Sequence, residues 1–283
     1  MNKTLVTPIR GAALRSADLS PAHPAVALGA ACVDAVLGGL QLGALHEVFA
    51  KSEAGAGAAS GFAAGLALRA GARRPLLWVR PDFAAQNYGA LSGPGLIELG
   101  LDPARFILVH APDALAALRV AQDGLSCAAL GAVIAEIYGA PKILDLTATR
   151  RLGLAAAKTG VTGFLLRHPA TPQPSAAETR WLIAQAVSGA FPGEVDTGSP
   201  SGNATNQRAS HERSEALWGW PRFAATLFRN RSPGIGGGTG QFVLEWRDGL
   251  FHDATTTHGT ADSGAVVSAP ADRSAATPLR RRA

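Results

Sequence analysis

From residue 44 to about residue 167 the chain alternates short apolar runs with helix-length stretches, and few folds accept that pattern. ALHEVF, LLWVR, FILVHA, ALGAVIAEI and VTGFLLR are strand-type runs. Between them stand GFAAGLALRA, AAQNYGALSG, DALAALRVAQDG and LDLTATRRLGLAAAKTG, which read as helices. The runs are apolar nearly throughout instead of alternating with polar residues, so they belong to strands buried on both faces. A helix between consecutive strands brings the chain back to begin the next one in the same direction. The expectation is an α/β fold, a mostly parallel sheet with helices on both faces.

The pattern changes after this stretch. ETRWLIAQAVS, 178–188, reads as a strand, and 220–251 as a hairpin around a Gly-rich turn, adding antiparallel strands at the C-terminal end. Residues 193–215 are polar and rich in Gly, Ser and Asn, and read as a flexible insertion. Residues 253–283 are mostly Ala, Ser, Thr, Asp and Pro, and read as a disordered tail. The expected organisation is an N-terminal arm over 1–27, one domain over 28–252 and the tail.

Composition narrows the function classes. The chain is 47% hydrophobic and 17% charged, with Ala and Gly supplying much of the apolar count, which suits close helix–sheet packing. No segment has the ~18 unbroken apolar residues of a membrane helix, and MNKTLVTPIRGAALRSADLS lacks the apolar core of a signal peptide. The expectation is a cytoplasmic protein without membrane contact. Cys32 and Cys127, each in an apolar segment, read as buried reduced thiols. Seven scattered histidines offer no structural metal site. The net charge of +5 permits nucleic acid or an acidic partner without requiring either.

HEVFAKSEAGAGAASGFAAGLALRAG, 46–71, is laid out as a strand, a glycine-containing loop and a helix. In a phosphate-binding loop, G-x-x-x-x-G-K-[ST], backbone N–H groups cradle phosphates, a Lys reaches the terminal ones and a hydroxyl holds Mg²⁺. Gly55, Gly57 and Ser60 survive here, but no Lys or Arg follows the glycines, and Lys51 precedes them. Phosphoryl transfer depends on positioning and on charge neutralisation by Lys and Mg²⁺. The loop is therefore expected to have lost its chemistry. It keeps at most weak ATP binding, through N–H groups at a helix start.

In order, these pieces resemble the core of the RecA-like ATPases, and within that superfamily the ImuA family of bacterial damage-inducible mutagenesis proteins. The resemblance rests on LGAACVDAVLGGLQLGALHEVFA, on the A-V-I-x-E-I strand followed by LDLTATRRL, on AETRWLIAQAVS and on the FRNR hairpin, and covers about residues 25 to 251. It implies a RecA-like fold. It places Asp82 nearest the acid that activates the attacking water, and Glu136 where the Mg²⁺-directing acid stands. With the Walker lysine missing, no catalytic residue, metal or cofactor is expected, and Glu136→Ala or Asp82→Ala should leave function largely intact. The resemblance further implies SOS-induced, error-prone translesion synthesis beside an ImuB-type polymerase homologue and a DnaE-type polymerase, with RecA contact plausible. Arg150, Arg151, Arg167, His168 and the terminal Arg280, Arg281 and Arg282 are the residues available to a partner or DNA. Two other classes stay open: a divergent ATP-binding recombination enzyme and a SulA-like division inhibitor.

Overall fold

The computed structural model describes residues 24–98, 100–168, 170–186, 220–231 and 238–254. The insertion 193–215, Arg280 to Arg282 and all but the first two residues of the tail lie outside them. One sheet of nine strands organises the rest. Its strands are β3 (Leu45–Ala50), β4 (Leu76–Pro81), β5 (Phe106–Ala111), β6 (Ala132–Tyr138), β7 (Thr162–His168), β8 (Thr179–Gln185), β9 (Arg222–Asn230), β10 (Gly240–Arg247) and β11 (Leu250–Asp253). The order across the sheet is β11-β10-β9-β8-β3-β7-β6-β4-β5. All pairings from β8 through β5 are parallel, and β8–β9, β9–β10 and β10–β11 are antiparallel. The fold is thus the expected α/β class, with β3 in the interior.

Two apolar layers flank the sheet. On one face α2 (Ala56–Gly71) lies over the strand centres with Val48, Trp78, Ile134, Leu166 and Trp181. Its residues are apolar nearly all round because the aromatic strands at the C-terminal end wrap it as well. Phe62 meets Trp181 at 5.4 Å and Phe251 at 5.1 Å between ring centroids. A Cβ at Gly65 would stand 2.8 Å from the Phe251 ring and 3.0 Å from Trp246, which is why small residues fill this helix. On the other face α5 (Ala114–Leu125) and α6 (Leu146–Thr159) cover Leu45, Leu77, Val79, Val133 and Leu165. Asp113 and Asp145 start these helices, accepting from the N–H groups of Ala116 and Ala148 at 2.7 Å each.

The structure adds elements that the sequence pattern did not reveal. The segment before β3 contains α1 (Ala31–Leu37) and a small ribbon of β1 (Ala25–Val26) with β2 (Leu40–Gln41), so the end of the supposed arm is folded in. The hairpin gains a third strand, β11, which reaches Asp253, one residue past the expected domain boundary. AAQNYGALSG is not one helix but α3 (Ala84–Tyr88) and an extended link to α4 (Gly93–Glu98). The expected burial of the cysteines is corrected: Cys32 and Cys127 are both free and exposed. Cys32 is in the first turn of α1, where partial burial and neighbouring Asp253 raise its thiol pKa to about 11. Cys127 lies in the turn after α5.

Candidate functional site

The loop at the start of α2 is folded upon itself. After β3, Ser52 begins a short 3-10 turn over Glu53–Gly55, and α2 follows at once. The Gly55 N–H donates to the Ser52 carbonyl at 3.0 Å and lies 3.3 Å from its hydroxyl. The Ala56 N–H donates to the Glu53 carbonyl. Two N–H groups of the loop are thus already committed to internal bonds. Lys51 is exposed ahead of this turn, its backbone N–H bonded to the Ile183 carbonyl.

Beyond the loop the C-terminal ends of β4, β6 and β7 send Trp78, Arg80, Glu136, Tyr138 and His168 to the α2 side of the sheet. Alternation along each strand puts these residues on one face, and parallel pairing sets them side by side. Glu136 is fully buried at their centre. It accepts from Trp78 Nε1 at 2.7 Å and from the Tyr138 hydroxyl at 3.0 Å, and its Oε1 lies 2.8 Å from Arg80 Nε. Arg80 also donates to the Gly89 carbonyl at 3.1 Å, which ties the α3–α4 link to the sheet. Burial, followed by the Glu136 charge, raises the Tyr138 phenol above its usual pKa. The carboxylate that the resemblance places at a Mg²⁺ position is thus enclosed by an arginine, an indole and a phenol.

A cavity of about 260 Å³ opens between these strand ends, α2 and the α3–α4 link. Gly57 and Ser60 are on its wall, with Ala56, Gly61 and Ala64, and Trp78, Arg80, Tyr88, Tyr138 and His168 stand around them. Tyr88, Tyr138 and His168 form a ring column with centroids 4.8 and 5.1 Å apart and planes 30° and 31° from parallel. His168 is 2% exposed, and neither ring nitrogen has a hydrogen-bond partner among the described residues. Burial and the Arg80 charge lower its pKa to about 4, so the ring is neutral near pH 7.

The other residues singled out from sequence are dispersed. Asp82 is exposed in the turn after β4, where its N–H bonds to the Ala111 carbonyl, and it does not line the cavity. Arg167 points to the opposite face from His168. It is 2% exposed, 4.0 Å from Glu47, and donates to the Gly139 carbonyl at 3.1 Å. Burial, opposed by Glu47, lowers its pKa. The residue in direct contact with Glu47 is Arg180, 2.6 Å away, with its guanidinium over the Phe49 and Phe228 rings. Arg167 and His168 thus offer no free surface, whereas Arg150 and Arg151 are exposed on α6, across the sheet from the cavity. In LDLTATRRL, Asp145 caps α6, and the Thr149 hydroxyl accepts from the Ala176 N–H at 3.1 Å, fixing the link into β8.

Sequence reasoning missed Glu47, Trp78, Arg80, Tyr88, Tyr138 and Arg180. The available signal was a charged residue inside an otherwise apolar strand, as in HEVF, LLWVR and TRWLI, because such a charge needs a buried counter-charge. Among the described residues no cluster of His, Cys, Asp and Glu could hold a metal ion, and no helix is long and apolar enough to cross a membrane.

No family model matches the chain. Among curated proteins, Protein ImuA from two strains of Caulobacter vibrioides is 36% identical to it over 197 residues in each case. The match covers 62% of this chain and 75% of the relative.

Proposed function

Because the chain belongs to the ImuA family, we propose that it is a non-catalytic accessory protein of damage-induced, error-prone translesion DNA synthesis. In this reading it acts beside an ImuB-type polymerase homologue and a DnaE-type polymerase on a RecA-like scaffold, in the cytoplasm, without hydrolysing ATP. RecA is a further candidate partner. Family membership supports the pathway. The observation that carries the non-catalytic half is the enclosure of Glu136 by Arg80, Trp78 and Tyr138. A carboxylate already neutralised by a guanidinium has little attraction left for Mg²⁺. The self-bonded loop and the absence of a Lys after Gly55 and Gly57 remove the other groups that would neutralise a migrating phosphoryl. Surfaces remain for partners, among them the exposed α6 face with Arg150, Arg151 and Leu154.

The test has two arms. A strain lacking the gene should lose damage-induced mutagenesis, and the wild-type chain should restore it. The purified protein should show no ATP turnover above background, with or without single-stranded DNA. Turnover abolished by Glu136→Gln would make the chain an enzyme, and mutagenesis unaffected by the deletion would remove the pathway.

A further inference from the structure

The cavity beside α2 has chemistry that the accessory role does not use. Its charges cancel: Arg80 and Glu136 are paired at 2.8 Å, and Trp78 and Tyr138 occupy the carboxylate further. A charged ligand would find no counter-ion there, and the adjoining loop has committed its Gly55 and Ala56 N–H groups. A flat, neutral ligand is treated differently. One wall is the small-residue face of α2, Ala56, Gly57, Gly61 and Ala64, and others are Trp78, Tyr88 and Tyr138.

His168 supplies the second, independent observation. A buried neutral imidazole normally has both nitrogens matched, because an unmatched buried polar group is costly. His46, the other fully buried histidine among the described residues, obeys this. Its Nε2 donates to the Gln41 carbonyl at 2.9 Å, and its Nδ1 accepts from the Thr179 hydroxyl at 2.8 Å. His168 lines the cavity with one N–H donor and one ring-nitrogen acceptor, both unmatched.

We infer that this cavity binds a neutral, nucleobase-type ring, packed between α2 and the aromatic side chains and hydrogen-bonded to His168. Aromatic walls favour ring faces of any base, and a donor–acceptor edge is what a base offers beyond its faces. The ring can come from a free nucleoside or from an unstacked base of single-stranded DNA. Recognition rests on the ring and not on phosphate, so the inference stands apart from any ATPase question and does not depend on the mutagenesis role.

The purified full chain is titrated with adenosine, thymidine, ATP and inorganic triphosphate, and separately with single-stranded oligonucleotides and an abasic oligomer. The readouts are tryptophan fluorescence, sensitive to Trp78 at the wall, and the NMR signals of the His168 ring. The expected result is a saturable response to ring-bearing ligands, with adenosine and ATP alike and none from triphosphate or the abasic strand. Saturation by nucleosides identifies the free source, and saturation by oligonucleotides alone identifies the strand. His168→Phe, which keeps an aromatic ring without nitrogens, should weaken binding about tenfold. Gly57→Leu should abolish it. A Cβ at Gly57 meets nothing within 4 Å, so the side chain enters free space and a better helix former replaces glycine. Unchanged circular dichroism and Tm confirm that each variant is folded. No ring-dependent response at roughly 10 mM ligand, or binding undiminished in both variants, overturns the inference. So does a response to an indole amide but to no base, which would make the cavity a peptide anchor.

Discussion

Glu136→Ala is the most informative single substitution. The sequence suggested that it would be harmless, as a vestige of a metal site, but the structure makes it costly. Truncation leaves Arg80, 4% exposed, bonded to the Gly89 carbonyl but without its counter-charge, and removes the acceptor for Trp78 Nε1 and the Tyr138 hydroxyl. Removing one partner of a buried ion pair costs about 3–5 kcal/mol, because the remaining charge stays out of water without compensation. For a domain of this size each kcal/mol corresponds to about 2–4 °C in Tm, so the expected drop is roughly 6–20 °C. Urea denaturation followed by circular dichroism measures the loss. The double variant Arg80→Met with Glu136→Leu should recover part of it, since apolar replacement of both partners removes the orphaned charge. A loss under about 1 kcal/mol, or a double variant as unstable as the sum of the singles, refutes the reasoning. Stabilisation of the wild-type chain by Mg²⁺ that disappears in Glu136→Gln would show the carboxylate free to bind metal.

The remaining expectations concern pH and close packing. His46 and His168 both have pKa values lowered from 6.5 to about 4, chiefly by burial. His46 faces Thr179, Phe164 and the Gln41 carbonyl, and His168 faces Arg80 and Tyr138. Between pH 4 and 6.5 the unfolded chain binds more protons, so this stability is complete above about 6.5 and is lost as pH falls toward 4, on the order of 3 kcal/mol per residue at the limit. A urea midpoint that stays flat from pH 7.5 to 4.5 would contradict that burial. Gly131→Ala should cost on the order of 2–3 kcal/mol, because its Cβ would stand 2.5 Å from the Gly71 carbonyl oxygen and 2.6 Å from Gly71 Cα, backbone atoms that cannot rotate away. Gly57→Ala, with open space around its Cβ, should be neutral or stabilising by up to about 1 kcal/mol. Equal unfolding midpoints for the two alanine variants would refute the packing difference.

The sequence by itself determined whatever depends on neighbours along the chain. The apolar runs at 45–50, 76–81, 132–138 and 162–168 became strands buried on both faces, as a continuous apolar run allows, whereas 106–111 became the edge strand β5, with Ile107 and Leu108 exposed. Asp113 and Asp145 marked helix starts, and the runs Arg222–Asn230 and Gly240–Arg247 folded into antiparallel strands. The missing cation after Gly55 and Gly57 was equally legible. Only the tertiary structure decided what the charged residues inside those runs do. Trp78 and Glu136 are 58 positions apart, and Arg180 and Glu47 are 133 apart. Each pair meets because the strand order sets β6 beside β4 and β8 beside β3. The same order, with the face assigned by alternation, turned His168 to the cavity and its neighbour Arg167 to Glu47, and left Cys32 and Cys127 exposed on connecting elements. Periodicity reports whether a residue faces the core, but a buried charge is matched or orphaned according to which strand lies next to it, and that is fixed by long-range packing.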